Sequence, residues 1–409
     1  MSHLSDLVRE LCPDGVEKKT LNEIGTFIRG AGIQKSELSE RGFPAIHYGE
    51  IHMKYGISAD TVFSHIESPK SGYRQVQQND LILVTTSEDI AGVGKPLAWM
   101  GTDSPYVSGE TYIFRHSQNA KYLAYLLQDK DFQMKKLIHI TGTKVKRIHE
   151  SAFTKIAFPI PPIEVQNEIV TILDKFRELE AELEAELEAR ITQYEYFRSY
   201  LLSFRDIETE GVRWIPLGDI CEYRKERSKS SGGTFMYVGV EDLLQERRGV
   251  SADARFLSST GHHIFMPGDV LLGNIRPYLK KVWRADVEGR TNGDVLVITP
   301  KQEALTQLDT LYLYFLLSSD DFFGYCVQTS KGAKMPRGDK QAILRYEIPV
   351  PSVEAQKRIA KVLAAFEQLT QDLEVGLPAE QAARRKQYEY YRSKLLTFKE
   401  LEVAWASRT

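Results

Sequence analysis

The sequence is poor in cysteine and contains no long apolar run. Its 409 residues include three cysteines; Cys12, Cys221 and Cys326 are scattered, without a Cys-x-x-Cys or Cys/His cluster. This spacing excludes a zinc ribbon or a disulfide framework and favours buried thiols in a reducing compartment. Residues 1–15 lack the apolar segment of a signal peptide, and no stretch is long enough for a membrane helix. We expect a cytoplasmic protein of two or three domains.

Recognisable catalytic motifs are also missing. GVGKP at 92–96 lacks the spacing of a phosphate loop, and Pro96 stands at the position of its Ser or Thr. PDGVEKK at 13–19 holds the letters of a nuclease site, but the acids are too close together to meet around a metal. NIRPY at 274–278 only faintly matches a DNA amino-methyltransferase motif, and no convincing glycine-rich turn accompanies it. We therefore predict no catalytic, metal or cofactor site on this chain.

A strong positive charge is absent as well, since the net charge is −3. Residues 159–210 contain 5 basic and 13 acidic side chains, a net charge of 5 − 13 = −8. Residues 1–158 sum to 19 − 18 = +1 and residues 211–348 to 19 − 17 = +2. Any surface for nucleic acid must therefore be a local patch.

The chain does contain a long repeated segment. Residues 159–204 (PIPPIEVQNEI…QYEYFRSYLLSF) recur as residues 349–398 (PVPSVEAQKRI…QYEYYRSKLLTF). Apolar residues in each copy recur every three or four positions, which predicts a helix after the prolines. One interpretation is an ordinary amphipathic helix packed on a core. The glutamates on the opposite face of the first copy favour a long, exposed helix.

Two lobes accompany these helices and resemble each other weakly. NDLILV at 79–84 matches GDVLLG at 268–273, and TGTKVKRI at 141–148 matches KGAKMPRG at 331–338. The segment after the first helix matches the N-terminus at a constant offset of 196, which predicts a circular repeat. We divide the chain into lobe 1 (1–158), a helical region (159–210), lobe 2 (211–348) and a second helical region (349–409). Each lobe is predicted to be α+β, with a twisted, mainly antiparallel sheet and one helix near 120–136 or 310–325.

The helical motifs PIPPIEVQNEI, QYEYFRSYLLSF, PVPSVEAQKRIAKVL and GLPAEQAARRKQYEYYRSKLLTF resemble those of the DNA-specificity (S) subunit of type I restriction-modification enzymes. The resemblance implies two target-recognition domains joined by two long antiparallel coiled-coil regions in a pseudo-two-fold circular arrangement. It further implies recognition of a bipartite site in double-stranded DNA, and docking of two methylation (M) and two restriction (R) subunits. Those partners would carry S-adenosylmethionine, ATP and Mg²⁺, and this chain would be non-catalytic.

Two other classes stay open. A stand-alone nuclease or methyltransferase would show activity when the purified chain is incubated with DNA, magnesium and S-adenosylmethionine. A coiled-coil scaffold without a DNA role would not explain two large, unlike lobes.

Basic and hydroxyl residues are the candidates for contact with DNA, because phosphates attract Lys and Arg and base edges accept Arg, Asn or Gln. For each one, a solvated charged face is the alternative. The predicted DNA-binding residues are Thr141, Thr143, Lys144, Lys146, Arg147, Arg224, Arg227, Arg276, Lys280, Lys281, Lys331, Lys334, Arg337 and Lys340. The aromatic residues of the repeated motif are assigned to the helix pair and to partner docking: Tyr194, Tyr196, Phe197, Tyr388, Tyr390 and Tyr391.

Overall fold

The computed structural model describes residues 2–153, 155–204, 211–227, 234–251, 255–257, 261–371 and 376–401. The chain divides into two compact units. Unit 1 comprises Met1–Ala181 and Ala383–Thr409, and unit 2 comprises Glu182–Ala382. Among the described residues, no helix has the length and apolar character needed to cross a membrane.

Lobe 1 alternates short strands with short helices. Its elements in order are α1 (Ser2–Leu11), β1 (Lys18–Thr20), α2 (Leu21–Ile24), β2 (Gly25–Arg29), β3 (Leu38–Ser39), β4 (Phe43–Ile46), α3 (Tyr48–Met53), β5 (Ser58–Ala59), β6 (Ser64–Ile66), β7 (Leu81–Val84), β8 (Thr86–Ser87), β9 (Pro96–Trp99), β10 (Tyr106–Val107), β11 (Thr111–His116), α4 (Ala120–Gln128), α5 (Lys130–Lys135), β12 (Lys146–Arg147), α6 (Glu150–Phe153) and β13 (Ala157–Pro159).

A long helix, α7 (Ile163–Ser203), follows lobe 1. The remaining elements are β14 (Arg213–Pro216), α8 (Leu217–Ile220), β15 (Cys221–Tyr223), β16 (Phe235–Val238), β17 (Arg255–Leu257), β18 (His263–Phe265), β19 (Val270–Gly273), β20 (Val282–Arg284), β21 (Gly289–Thr291), β22 (Val295–Pro300), α9 (Thr310–Leu317), α10 (Asp320–Gln328), α11 (Lys340–Arg345), β23 (Glu347–Val350), α12 (Val353–Gln371) and α13 (Leu377–Leu395).

Each lobe is built on two main sheets rather than the single sheet expected. In lobe 1 the strand orders are β2-β11-β7-β9-β5 and β10-β4-β6-β3; in lobe 2 they are β15-β22-β19-β20 and β17-β16-β21-β18. The described pairs are antiparallel except β4–β10, β5–β9 and β16–β21. Every residue of β7 and of β19 is buried, as expected of apolar strands that lie inside their sheets. The predicted α+β, mainly antiparallel fold is confirmed.

The single helix predicted in each lobe is wrong in detail, because two short helices occupy the segment. Asp129 separates α4 from α5, and its carboxylate accepts a hydrogen bond from the Asp131 amide. Ser319 does the same between α9 and α10, where its hydroxyl accepts from the Phe322 amide. A short polar side chain that caps a new helix competes with continuation of the old one, and periodicity alone does not reveal it.

The shared Glu-x-Gln motif ties each helix to its own lobe. The side-chain Oε1 of Gln166 accepts a hydrogen bond from the backbone amide of Asn119 (3.0 Å), and Oε1 of Gln356 accepts one from the backbone amide of Asp309 (2.8 Å). Asn119 and Asp309 are the N-cap residues of α4 and α9. Both glutamines are fully buried. The repeated Glu-x-Gln motif therefore fixes the N-terminal end of each helix to its lobe through a buried hydrogen bond, here called a clamp.

The shared Tyr-x-x-x-Arg motif forms a second clamp. Arg198 lies over the Tyr194 ring (5.5 Å) and pairs with Asp320 at the start of α10 (3.2 Å). In unit 1, Arg392 lies over the Tyr388 ring (5.3 Å), and its guanidinium is 3.7 Å from Asp129. Because both arginines are largely buried, each couples the helix to its lobe through a desolvated charge.

The circular repeat is visible inside unit 1. The Val16 amide donates to the Lys399 carbonyl (2.8 Å), and the Leu401 amide donates to the Val16 carbonyl (3.2 Å). Also within unit 1, Phe176 of α7 stacks on Tyr391 of α13 (5.5 Å), while Glu180, one turn further along α7, borders a cleft with Arg385. The partner number falls as the α7 number rises, so the pairing is antiparallel, as predicted. The second helical region is interrupted at Gly376, which lies in a bend directly before α13 begins at Leu377.

Candidate nucleic-acid interface

The two basic loops predicted from the repeat have the same structure. Hairpin 1 (residues 141–147) is closed by the amide of Thr141 to the carbonyl of Arg147 (2.9 Å) and by the reverse bond (2.8 Å). Hairpin 2 (residues 331–337) is closed in the same way between Lys331 and Arg337 (2.9 Å each). Residues 141–148 and 331–338 also share one pattern of exposure, position by position. The same exposed, basic loop is thus built once in each lobe.

A glycine in each hairpin is required by the turn. Gly142 has φ +91° and Gly332 has φ +100°, in the left-handed region that glycine tolerates. A Cβ on Gly142 would lie 2.1 Å from the Val145 carbonyl oxygen. The Thr-Gly and Lys-Gly pairs in the sequence therefore mark the turns that present the basic side chains.

Each hairpin is anchored to the segment that follows a buried central strand. In lobe 1, β12 pairs with β8, and the Ile148 amide donates to the Thr85 carbonyl (3.0 Å). In lobe 2, the Gly338 amide donates to the Asn274 carbonyl (3.0 Å), and the Arg276 amide donates to the Pro336 carbonyl (2.7 Å). Because Thr85 and Asn274 follow β7 and β19 directly, a rigid strand positions each hairpin.

The cations of the two hairpins differ in how far they are already paired. In hairpin 1, Lys144 and Arg147 are exposed and have no ion-pair partner among the described residues, while Lys146 donates to the Gly142 carbonyl (3.3 Å). In hairpin 2, Lys331 pairs with Asp339 (2.6 Å) and Arg337 with Asp294 (3.1 Å). The Lys331 ammonium and two backbone amides lower the pKa of Asp339 to about 2. Lys334 is the hairpin 2 cation that lacks such a partner among the described residues.

A basic cleft lies beside hairpin 2. Its volume is about 290 Å³, and Arg227, His263 and Lys340 contribute to its walls. The Arg227 guanidinium is 3.5 Å from the His263 ring. Burial, followed by Arg227, Lys340 and His262, lowers the pKa of His263. None of the described residues that line this cleft is acidic, so its positive groups would bind an anion such as a phosphate.

Lobe 1 has a larger and more mixed cleft of about 780 Å³ beside hairpin 1. Val145 of the hairpin, His52 of α3 and Glu88 border it. The Lys95 amine donates to the His52 carbonyl (3.1 Å), so the lysine of the GVGKP segment joins two walls of this cleft. Acidic and basic groups in one groove suit base edges better than a continuous run of phosphates.

Comparison with known proteins agrees with this duplicated architecture. The sequence model of the type I restriction modification DNA specificity domain matches residues 13–193 and again residues 210–380. The chain belongs to the type I DNA-specificity family. The specificity subunit of the Escherichia coli type I restriction enzyme EcoR124I/EcoR124II is 30% identical over 61% of this chain, and that of the Mycoplasma pneumoniae enzyme MpnII is 28% identical over 51%. These matches span 64% and 62% of the two relatives, respectively.

Solved structures of the family share the fold. One, from work on complex assembly and conformational transition of the type I R-M system, has a TM-score of 0.63 and 14% identity, covering 94% of this chain and 98% of the other. The HsdS subunit from Thermoanaerobacter tengcongensis has a TM-score of 0.53 and 16% identity, covering 94% and 96%. At such identity the likeness establishes the architecture, and the contacts must be argued from this chain's own residues.

In this member of the family, three predicted DNA-binding residues are engaged inside the fold. The Arg224 guanidinium makes two bonds to Asp269 (2.7 and 2.9 Å). Lys280 pairs with Asp320 (2.8 Å), and the Lys281 amine donates to the Val240 carbonyl (2.6 Å). Desolvation lowers the pKa of Lys281. We therefore leave these three residues out of the candidate interface.

Arg276 belongs to it, by contrast. Its side chain is exposed, and its backbone is left-handed (φ 54°), a conformation costly for a non-glycine residue. The bond to Pro336 places it against hairpin 2. Tyr278, two residues later, is half exposed.

The aromatic residues predicted for partner docking separate into two groups. Tyr194 stacks on Phe366 (6.4 Å) and Tyr388 lies against Phe176 (6.4 Å); both are buried within their own units and are not available to a partner. Phe197 and Tyr391 are partly buried beside the same two phenylalanines. Tyr196 and Tyr390 are exposed at equivalent repeat positions, 66% and 61% respectively. The docking prediction therefore narrows to Tyr196 and Tyr390.

His263 and Val145 were missed by sequence reasoning. The adjacent pair His262-His263 gave no sign of a role, because the approach of His263 to Arg227 and Lys340 depends on sheet pairing between distant segments. Val145 was passed over as the apolar member of a basic run. The offset of 190 between the hairpins could have revealed it, since Met335 occupies the equivalent position.

Proposed function

We propose that this chain is the DNA-specificity subunit of a type I restriction-modification complex and that each lobe binds one half of a bipartite site. The observation that carries the proposal is the duplicated hairpin. In each lobe an exposed basic loop is closed by equivalent backbone hydrogen bonds and anchored next to an equivalent strand, β7 or β19. Family membership supplies the class of ligand, double-stranded DNA.

The lobes read different sequences in this proposal. The hairpins share a backbone but differ at Thr143/Ala333 and Lys146/Pro336, and their neighbouring clefts differ in charge. In this proposal Lys144, Arg147 and Lys334 contact backbone phosphates, and the exposed Arg276 beside hairpin 2 bonds a guanine edge.

An exchange of lobe 2 tests the modular arrangement. Residues 211–348 are replaced by the equivalent lobe of a relative, and methylated sites are mapped in the genomic DNA of the host. One half-site should change while the other is retained. A change in both halves, or in neither, would contradict the assignment of one half-site to each lobe.

Catalysis belongs to partner subunits in this proposal. Two methylation subunits carry S-adenosylmethionine, and two restriction subunits carry ATP and Mg²⁺; this chain contributes recognition and docking in the cytoplasm. Exposed tyrosines are common in docking surfaces because they bury a large apolar ring and keep a polar hydroxyl. We assign Tyr196 and Tyr390 to partner contact.

The docking assignment is tested by Tyr196→Ser together with Tyr390→Ser. The variant should lose co-purification with the methylation subunit while it retains the secondary structure of the parent chain. The control replaces two aromatic residues of similar exposure outside the repeat motif, Tyr278 (50%) and Phe63 (57%), by Ser. Binding of the methylation subunit should persist in this variant. Wild-type co-purification of the Tyr196/Tyr390 variant would remove these residues from the interface.

A further inference from the structure

The tips of both hairpins carry an exposed apolar side chain at the same position. Val145 is 43% exposed and Met335 is 51% exposed. Each follows a lysine, Lys144 or Lys334, and each is 190 residues from its counterpart. An apolar side chain therefore sits within the basic surface of both lobes.

Folding does not account for these two residues. Neither belongs to the buried clusters that form the cores of the two units. The hairpins close through backbone bonds between their first and last residues, and the tip side chains take no part in those bonds. Single exposed apolar residues are common on protein surfaces. Here, however, an apolar side chain occupies the same position of both hairpins, directly after the shared lysine, while the positions Thr141/Lys331, Thr143/Ala333 and Lys146/Pro336 differ in chemistry.

We infer, on the basis of the proposed function, that Val145 and Met335 are specificity-determining residues that make apolar contact with a base in their own half-sites. The neighbouring cations provide phosphate contacts, which an aliphatic or thioether group cannot make. DNA offers an apolar side chain two base surfaces: the C5-methyl group of thymine and the face of a base at an unstacked step. The branched valine and the long, flexible methionine fit different base steps.

Shape-preserving substitutions test the inference. Val145→Thr replaces a methyl by a hydroxyl, and Met335→Gln replaces the thioether end by an amide, so neither removes a hydrogen bond of the hairpin. The full chain, assembled with the host methylation subunits, is titrated with duplexes containing half-sites identified by methylation mapping. Loss of one or two buried methyl-sized contacts corresponds to roughly a four- to fifteenfold weaker affinity. The loss should be confined to the half-site of the substituted lobe, with the salt dependence unchanged.

Matched controls are available in lobe 2. Val287→Thr and Met266→Gln alter residues of comparable exposure, 43% and 37%, outside both hairpins. These variants should bind both half-sites like the parent chain. A parallel loss in the controls would show that the effect is not specific to the hairpin tips and would overturn the inference.

Modified duplexes distinguish the two base surfaces. If thymine is the contact, replacing it by uracil should weaken binding of the parent chain more than binding of Val145→Thr, which keeps only one of the two methyl groups. If the contact is an unstacked step, 2-aminopurine placed there should brighten on binding of the parent chain and not of the variant. Parental affinity and site selection in both Val145→Thr and Met335→Gln would overturn the inference. Failure of the parent complex to bind either half-site would instead contradict the proposed function.

Discussion

Removing the cations of hairpin 1 should flatten the salt dependence of DNA binding by an amount that the structure predicts. The variant Lys144→Ala, Lys146→Ala, Arg147→Ala loses two exposed cations that have no acidic partner in the described part of the chain. It also loses one lysine that already binds the Gly142 carbonyl. We therefore count about two phosphate contacts. Each contributes roughly 0.9 to the slope of log affinity against log salt concentration, so the slope should fall by about 1.8. Between about 50 and 200 mM salt, the parent chain should then lose roughly twelvefold more affinity than the variant.

Hairpin 2 should behave differently, because two of its three cations are already paired. Lys331 and Arg337 are held by Asp339 and Asp294, and only Lys334 is free of an acid among the described residues. Replacing all three by Ala should lower the slope by about 0.9, which is roughly a three- to fourfold difference over the same salt range. The two hairpins have three basic residues each, so the difference in the expected reduction of the salt slope follows from their ion pairs.

Fluorescence anisotropy of a labelled duplex, recorded across the salt range, measures both slopes. A control variant replaces Arg9, Lys19 and Lys135 by Ala; it has the same charge change, and each of these cations pairs with an acid on the surface of unit 1. The control should keep the parental slope. If the hairpin 1 variant matches the control, or if both hairpins give equal reductions, the assignment of phosphate contacts is refuted.

Three further outcomes are expected. DNA binding should become stronger as the pH falls from about 7 to about 5. The reason is that the pKa of His263 is lowered in the free protein, whereas a bound phosphate would favour the charged ring. His263→Gln should flatten this pH profile, and an unchanged profile would exclude His263 from the DNA contact. One LEAE unit inserted into residues 179–190 lengthens α7 by about 6 Å and rotates the part beyond the insertion by about 40°. If α7 sets the spacing between the half-sites, mapped sites should show a spacer longer by about one to two base pairs, with both half-sites retained. An unchanged spacer in an active variant would show that the length of α7 does not set this spacing. Gln356→Ala removes the hydrogen-bond partner of the Asp309 amide and of two backbone carbonyls. The free energy of unfolding of unit 2, measured in urea, should therefore fall by about 1–3 kcal/mol for each group left unpaired. The control Gln302→Ala, at an exposed position, should leave this free energy unchanged.

The helical repeat was predictable from the sequence in its position but not in its contacts. Spacing alone predicted helices after Pro159 and Pro349, and α7 and α12 begin at Ile163 and Val353. It did not reveal that Gln166 is a buried clamp, since its role depends on Asn119, 47 residues earlier. The glutamine that recurs in both copies could be recognised from the sequence, but the residue to which it bonds could not.

The basic clusters illustrate the same division. Arg224 and Arg227 are neighbours in a charged run and were predicted to act alike. The structure turns Arg224 onto Asp269 and leaves Arg227 in a cleft with His263 and Lys340. Burial beside an acid decides between a structural and a binding role, and burial is a property of the folded chain.

Four features were predictable from the order of residues: the duplication, its circular order, the alternation of helices and lobes, and the positions of the two basic hairpins. These features rest on local periodicity, turn-forming glycines and internal similarity, all of which are written in neighbouring residues or in fixed offsets. The folded structure was needed to show which cations lack an acidic partner among the described residues, which tyrosines are exposed and which histidine lines a basic cleft. Those properties arise from pairings between residues far apart in the chain, because solvation and charge compensation depend on what the fold brings into contact.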